Sequence, residues 1–377
     1  MPMQWKDKLA PALLAAVIGA AALAAVVSLT PEKPPFTPNQ LESGITFEAV
    51  GVSADEVIMR LGENSATAEL YTFWLGRECE NLESAYGIDV ASSWDRKITG
   101  EQTLRDFVRE DVLELLRQQL VLENLTAEYG VEISDEDAAA LAERRASYIE
   151  QYGEEGYRAE LYKMGVSEAA YERLSRTDYL YSALYETYLT PGSALYAGED
   201  VLRAYAVSEG WITADHILLM TVDPATYGPL DEAAAAQKRA LAEELLARLR
   251  ESDDPAALFE ELADAYVEDP GRDVYPEGYT FTHGTMVAEF DEAAHALGEG
   301  EISGVVESQF GCHIILRKPL NVAAAVEAVR GEYFEVIFLS AFQDAEIELT
   351  EAAEQLDEEA IYAALKAARF EAAAGQS

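Results

Sequence analysis

The sequence predicts an α+β protein. It should contain a small sheet domain with surrounding helices and a mainly helical domain, both after an N-terminal transmembrane helix. Three observations lead to this prediction. Residues 211–320 alternate short apolar β patterns with helical patterns, residues 51–205 are mostly helical in their periodicity, and residues 9–31 contain no charge. With 377 residues, of which 49% are hydrophobic, the chain is long enough to build two cores.

The N-terminal apolar run follows Lys6 and Lys8 and spans residues 9–31. At about 1.5 Å per residue, about 20 residues cross the hydrocarbon core of a bilayer. We therefore predict an uncleaved membrane anchor after a cytoplasmic stub, with the folded domains outside the cell membrane, since basic residues stay inside. A cleaved signal peptide, and hence secretion, is the alternative. Residues 32–50 are predicted to form a linker whose prolines make it a stiff spacer.

The charge balance excludes some classes of function. The chain has 27 Lys and Arg against 70 Asp and Glu, a formal net charge of −43. Nucleic-acid binding needs a basic surface, and so does docking onto anionic lipid, so neither is expected from the folded part. Cys79 and Cys312 show no zinc or disulfide spacing and are interpreted as ordinary thiols.

The predicted helical domain, residues 51–205, opens with a strand at residues 57–61. Amphipathic patterns then predict helices over residues 65–82, 103–125, 134–153 and 167–189. Tyr181, Tyr185 and Tyr188 fall on one stripe of the last helix. The stripe is either core packing or part of an amphipathic cradle for unfolded polypeptide, and the two interpretations differ in how much ring area stays exposed.

The predicted sheet domain, residues 211–320, reads β, α, α, β, α, β, β. Its first and last strands are short apolar runs, and each carries one histidine, His216 or His313. Alternation along the first strand puts His216 on the face shared by Ile212, Ala214 and Leu218. Two histidines set about a hundred residues apart in buried strands suggest a site built across neighbouring strands.

Six segments of this region resemble the parvulin-type peptidyl-prolyl isomerases. They are ADHIL (214–218), LFEELA (258–263), EDPG (268–271), FTHGTMVAEF (281–290), GEIS (300–303) and FGCHII (310–315). The wider layout, with exported helical segments before and after this unit, resembles the PrsA/SurA group of extracytoplasmic foldases and chaperones. One departure is that residues 275–279 replace the glycine-rich run that the family often has before its middle strand.

The resemblance implies a catalytic set and a substrate-binding set, with no metal and no cofactor. The catalytic set is His216, Asp269, Ser308 and His313. The substrate-binding set is Phe281, Met286, Phe290 and Phe310, in which Met286 and Phe290 would grip the proline ring. The two histidines would lie on adjacent central strands, with Asp269 beside the amide that rotates.

Two rival chemistries are disfavoured by the residues themselves. A zinc site from His216, Asp269, Cys312 and His313 is disfavoured because Cys312 and His313 are neighbours on a strand and must face opposite sides. A hydrolase built on Ser308, His313 and Asp269 lacks a nucleophile elbow. The remaining histidines, His283 and His295, are predicted to be surface residues.

The leading prediction is a peptidyl-prolyl isomerase that assists the folding of exported proteins outside the cytoplasmic membrane. Its partners would be unfolded or newly exported polypeptides with X-Pro bonds, and the resemblance is compatible with a homodimer. The alternative is a non-catalytic holdase chaperone. In residues 321–377, periodicity predicts a helix over 322–342 and a strand over 346–350. The PrsA/SurA resemblance implies that this tail returns to the helical domain near residues 57–61, and a separate helical cap is the alternative.

Overall fold

The structure is a computed structural model that describes residues 38–374, with side chains described for residues 44–369. It divides into two compact units. The helical unit contains residues 38–196 and 334–374, and the sheet unit contains residues 197–333. The predicted membrane anchor at residues 9–31 lies outside the described residues. Among the described residues, no helix combines the length and apolar character needed to span a bilayer.

The bounds of the elements are as follows. The helices are α1 (Pro38–Val50), α2 (Ala68–Tyr86), α3 (Leu104–Glu128), α4 (Asp135–Met164), α5 (Glu168–Leu189), α6 (Glu199–Ser208), α7 (Glu232–Glu251), α8 (Pro255–Tyr266), α9 (Ala288–Ala296), α10 (Val322–Asp344), α11 (Glu351–Glu354) and α12 (Glu358–Ala374). The strands are β1 (Val57–Leu61), β2 (Asn64–Thr67), β3 (Lys97–Thr99), β4 (Gln102–Thr103), β5 (Ile212–Met220), β6 (Tyr279–Phe281), β7 (Val306–Glu307), β8 (Gly311–Lys318) and β9 (Glu348–Leu349). The α+β class predicted from the sequence is confirmed.

Two helix predictions in the helical unit need correction. The helix predicted from residue 65 starts at Ala68, because residues 64–67 pair with β1 as the antiparallel strand β2. The helix predicted to stop near Gly153 continues as α4 to Met164, with a kink where Gly153 takes φ 76°. Glycine adopts this left-handed conformation without the steric cost of a Cβ, so the helix bends there and resumes.

The C-terminal residues complete the helical unit. Strand β9 pairs antiparallel with β1, with Leu349 opposite Met59, so the small sheet has the order β2-β1-β9. Helix α12 packs against α1 and α2 and buries Ile361, Tyr362 and Leu365. These contacts join residues separated by about three hundred positions.

A buried ion pair fixes this C-terminal closure. Glu358 is 2% exposed and accepts from Arg109 at 2.7 Å and from the Tyr71 hydroxyl at 2.6 Å. The other guanidinium nitrogen of Arg109 donates to the carbonyl of Ala353 at 2.6 Å. Burial, followed by the charge of Glu358, raises the pKa of Tyr71 well above its usual value, so its hydroxyl stays protonated and donates.

The tyrosine stripe of α5 forms part of the core. Tyr181, Tyr185 and Tyr188 all contact the ring of Phe334, with centroid separations of 5.5, 5.0 and 5.3 Å. Tyr188 is fully buried, and Tyr181 donates its hydroxyl to Glu335. Of the two interpretations of this stripe, the contacts favour packing.

A pair of carboxyl groups between α2 and α3 makes the stability of the helical unit depend on pH. Burial, and then the charge of Asp111, raises the pKa of Glu78 to about 7. Because the folded chain holds this proton more tightly than the unfolded chain, stability is lost as the pH rises from the unfolded pKa through 7. We expect Glu78→Gln to stabilise the fold by about 2 kcal/mol at pH 8 and to have little effect at pH 4. Urea unfolding at both pH values checks this, and equal gains at both would contradict it.

The sheet unit is built on a four-stranded antiparallel sheet with the order β6-β5-β8-β7. Every residue of β5 is buried, as expected for a central strand. One face packs on α7 and α8, and the other packs on α9. The predicted alternation is confirmed for Ile212, Ala214 and His216, which share the α9 face. Gly311 permits the close approach of β8 to β5, since a Cβ there would lie 2.2 Å from the Leu219 carbonyl oxygen.

Candidate active site

The two strand histidines lie side by side on one face of the sheet. His216 is opposite Ile315 in the β5–β8 register, and His313 is opposite Leu218, so the histidines are diagonal neighbours. Their Nδ1 atoms are 3.2 Å apart, and both side chains are buried. The two histidines therefore meet across neighbouring strands, as their sequence context predicted.

Hydrogen bonds extend from both ends of the histidine pair. The Ser308 hydroxyl lies 2.7 Å from Nε2 of His313, and the Asp269 carboxylate lies 3.0 Å from Nε2 of His216. An ionised carboxylate can only accept, so His216 donates from Nε2 and keeps a lone pair on Nδ1. His313 then donates from Nδ1 to His216 and accepts from Ser308. We call this chain of four side chains the histidine relay.

Electrostatics support this arrangement. Burial, and then the charge of His216, lowers the pKa of His313 to about 3, so His313 is neutral in ordinary buffers. Burial would by itself raise the pKa of Asp269, but hydrogen bonds from His216, Tyr279 and the Gly271 N–H outweigh it and hold that pKa below its usual value. The relay therefore carries an ionised carboxylate at one end and a neutral imidazole toward the other.

Tyr279 is a member of the site that the sequence analysis missed. Its hydroxyl donates to Asp269 at 2.5 Å, and its ring contacts Tyr275 at 4.9 Å and His216 at 5.8 Å. Gly271 makes room for it, because a Cβ at that position would lie 1.8 Å from the tyrosine oxygen. Tyr279 stands at the end of the segment that departs from the family pattern, and that departure was the only available signal.

The loop that carries Asp269 is anchored by a second ion pair. Arg272 donates to both carboxylate oxygens of Asp215, at 3.0 and 2.9 Å, and to Asp264 at 2.9 Å. Asp215 is 3% exposed and also accepts from the backbone N–H of His216. Because Asp215 adjoins His216 on β5, this ion pair fixes the distance between Asp269 and His216.

An apolar group adjoins the histidines. The Phe290 ring contacts His216 at 5.2 Å and His313 at 5.4 Å, and it rests on Phe281 at 5.9 Å. Phe290 and Phe281 are buried, whereas Met286 is half-buried at the edge of the same cluster. Phe281 therefore packs on Phe290 within the core, and Met286 is the most exposed of the three side chains.

Phe310 lies apart from that group. It is half-buried, packs with Leu218, Met220 and Val222, and contacts the exposed Tyr227 ring at 6.4 Å. Its backbone N–H donates to the Ser308 hydroxyl at 3.2 Å. It thus extends the apolar surface on the Ser308 side of the relay.

The predictions for Cys312, His283 and His295 have different outcomes. Cys312 packs in the cluster on the opposite face of the sheet, so it is separated from the histidine relay as the alternation predicts. His283 is exposed as predicted, with 65% of its side chain accessible. The prediction for His295 is wrong: its side chain is 9% exposed and stacks on His283, with ring centroids 3.6 Å apart.

Comparisons with known proteins agree with this geometry. The family model for the rotamase, PPIC-type PPIase domain matches residues 216–318. The foldase protein PrsA of Caldanaerobacter subterraneus subsp. tengcongensis is 28% identical over 274 residues, which cover 72% of this chain and 76% of that protein. The foldase protein PrsA 1 of Bacillus cereus is 40% identical over 89 residues, covering 23% of this chain and 31% of that protein.

Among solved structures, the peptidylprolyl isomerase PrsA from Bacillus cereus aligns over 80% of this chain and 96% of its own, with 19% identity and a TM-score of 0.28. The family match covers both relay histidines, Asp269 and Ser308. Residues 216–318 are therefore a parvulin-type peptidyl-prolyl isomerase domain, and the chain that carries them is similar to PrsA foldases over 72% of its length.

Proposed function

We propose that the histidine relay and the pocket of Met286 and Phe290 catalyse X-Pro rotation in unfolded, exported polypeptides. The observation that carries this proposal is the contact of the Phe290 ring with both relay histidines. An apolar floor and a hydrogen-bonded network thus meet at one place on the sheet.

Rotation of an X-Pro amide is favoured by a pocket of low polarity. Rotation of an X-Pro amide breaks its resonance, and the uncatalysed barrier is about 18–20 kcal/mol. In the twisted state the nitrogen loses conjugation and the carbonyl loses part of its negative charge. A pocket of low polarity that binds this less dipolar state better than the planar amide lowers the barrier. Neither a nucleophile nor a metal takes part in this step.

Each part of the site then has a role. Met286 and Phe290 hold the proline ring, and the buried Phe281 keeps Phe290 in place. Asp269 lies beside the rotating amide, and its charge is fixed by His216 and Tyr279. His313 and Ser308 complete the relay and set the tautomer of His216. Phe310 contacts the substrate chain on the Ser308 side.

A second activity, holdase binding, is favoured by a cavity in the helical unit. The cavity has a volume of about 250 Å³ and lies between α4 and α5. Its lining includes Leu141, Tyr148, Tyr157 and Tyr171 together with arginines such as Arg145. Arg145 lies over the Tyr157 ring at 5.5 Å. Aromatic rings beside arginine suit an apolar or aromatic side chain of an unfolded client.

Two substitutions separate these activities. Met286→Ala removes about 1–2 kcal/mol of contact with proline, so we expect KM for an X-Pro peptide to rise roughly 5- to 30-fold, with client aggregation suppressed as before. Tyr148→Ala should weaken the suppression of aggregation and leave isomerisation unchanged. A protease-coupled proline-peptide assay and light scattering of an aggregating client measure the two effects. Failure of the unmodified chain to accelerate isomerisation would contradict the catalytic proposal and leave the holdase activity.

We further propose that the chain acts outside the cytoplasmic membrane and is attached to it by residues 9–31. The uncharged run and the preceding lysines support this attachment. Its similarity to PrsA foldases supports export. A homodimer is a further part of the proposal and rests on the resemblance alone.

A further inference from the structure

A second polar cluster lies on the other side of Phe281 and Phe290 from the relay histidines. It contains His283, Asp291 and His295, and each residue offers one ligand atom within 4.8 Å of the others. Asp291 and His295 are one turn apart on α9, and His283 follows β6 by two residues. The loop that contains His283 is held by the Gly284 N–H, which donates to Asp291 at 3.3 Å.

One oxygen of the Asp291 carboxylate lacks the partner that its burial requires. The residue is 7% exposed, and its Oδ1 atom meets no hydrogen-bond donor among the described residues. A buried carboxylate oxygen in this state is costly unless a cation or a donor neutralises it. Nδ1 of His295 lies 3.5 Å from this oxygen.

The other nitrogen of His295 fixes how this ring can act. Nε2 lies 3.0 Å from the Gly210 carbonyl, which can only accept, so Nε2 carries a proton. In the neutral ring, Nδ1 then presents a lone pair to oxygens alone, the Asp291 carbonyl at 2.9 Å and its carboxylate. Donation of the second ring N–H to a backbone carbonyl is the usual support for a metal-bound histidine. A cation bound at Nδ1 would therefore be favourable, because the lone pair of this nitrogen otherwise faces oxygen atoms.

His283 supplies a third ligand atom. A metal ion would bind this atom, whereas protonation of His295 would not involve it. Its Nδ1 lies 3.4 Å from Oδ2 of Asp291. Separations of 3.4 and 3.5 Å are long for charge-assisted hydrogen bonds, which are about 2.7–2.9 Å. The two separations run to different oxygens of Asp291, so one ion held by all three side chains would draw the ligand atoms to the roughly 3.3–3.5 Å that separates ligands lying about 2.0–2.1 Å from a tetrahedral Zn²⁺ ion.

We propose that His283, Asp291 and His295 form a binding site for a divalent transition metal of the Zn²⁺ type. Two imidazoles and one carboxylate suit such ions. The fourth position faces solvent on the side of the exposed His283. A bound ion would join α9 to the loop after β6, and these two elements carry Phe290 and Phe281. The site does not depend on the proposed catalytic roles.

Titration of the whole chain with ZnCl2 at pH 8, after removal of metals with a chelator, tests the proposal. We expect one site of micromolar or tighter affinity, with the melting temperature rising as zinc is added, because the ion binds the folded state. His283→Gln should weaken binding at least tenfold. This side chain is exposed, so its loss should leave the fold intact, and Asp291→Asn provides a second variant.

Glu289→Gln is the matched control, since Glu289 is an exposed acidic residue on the same helix. Its zinc affinity should equal that of the unmodified chain, which would exclude diffuse binding to the acidic surface. Equal zinc affinity in the unmodified chain and His283→Gln would overturn the proposal. Absence of binding at 100 µM zinc, roughly the weak limit for a three-ligand site, would also overturn it.

Discussion

Asp269→Asn should reduce kcat/KM for an X-Pro peptide by about 10- to 100-fold. The carboxylate accepts hydrogen bonds from three donors, His216, Tyr279 and the Gly271 N–H. An asparagine must turn its NH2 group toward at least one of them. Loss of one charge-assisted hydrogen bond costs about 1.5–3 kcal/mol, which corresponds to that range of rates. The relay also loses the charge that fixes the tautomer of His216.

Steady-state kinetics of the purified chain measure this effect, with kcat expected to fall more than KM rises. Asp273→Asn is the matched control, because Asp273 is an exposed carboxylate four residues along the same loop. It should keep full activity. A change in kcat/KM of less than twofold in Asp269→Asn, with the fold intact, would show that the charge of this carboxylate does not contribute to catalysis.

Arg109→Met should destabilise the helical unit by about 3–5 kcal/mol. Among the described residues, Glu358 would keep the Tyr71 hydroxyl as its hydrogen-bond donor while remaining almost fully buried. The carbonyls of Ala353 and Leu356 would lose the donor that Arg109 provides. Breaking a buried ion pair from one side is strongly destabilising because an uncompensated charge is left behind. Urea unfolding followed by tyrosine and tryptophan fluorescence measures the loss.

The double variant Arg109→Met/Glu358→Gln separates the cost of the charge from the cost of the contacts. A neutral amide needs no counter-ion, so the double variant should be more stable than Arg109→Met alone. Arg60, whose ion pair with Glu348 is exposed and 3.9 Å long, offers the control Arg60→Met, for which about 0–1 kcal/mol is expected. A double variant as unstable as Arg109→Met would contradict this explanation.

Much of the sheet unit could be predicted from the sequence because its signals are local. The apolar runs around His216 and His313 indicated buried strands, and the element order between them followed from turns and helix caps such as Asp254 before Pro255. Strand alternation also separated Cys312 from His313 without any knowledge of the fold. These inferences use only the period of each element.

The features that were missed depend on contacts between distant residues. Arg272 meets Asp215 across 57 positions, and no local pattern marks that pair. His295 was predicted to be a surface residue, yet its Nε2 lies 3.0 Å from the carbonyl of Gly210, which is 85 positions away. Tyr279 joined the site through a loop whose path depends on the missing Cβ of Gly271.

The pairing of β9 with β1 has a consequence for how the chain folds as it emerges. The sheet unit is one continuous stretch, residues 197–333, whereas the helical unit needs both residues 38–196 and residues 334–374. A chain that appears N-terminus first can therefore complete its isomerase domain while β1 still has an open edge on the side that β9 later covers. The helical unit stays incomplete, and the surface that α12 will bury stays exposed to water, until the final segment is released.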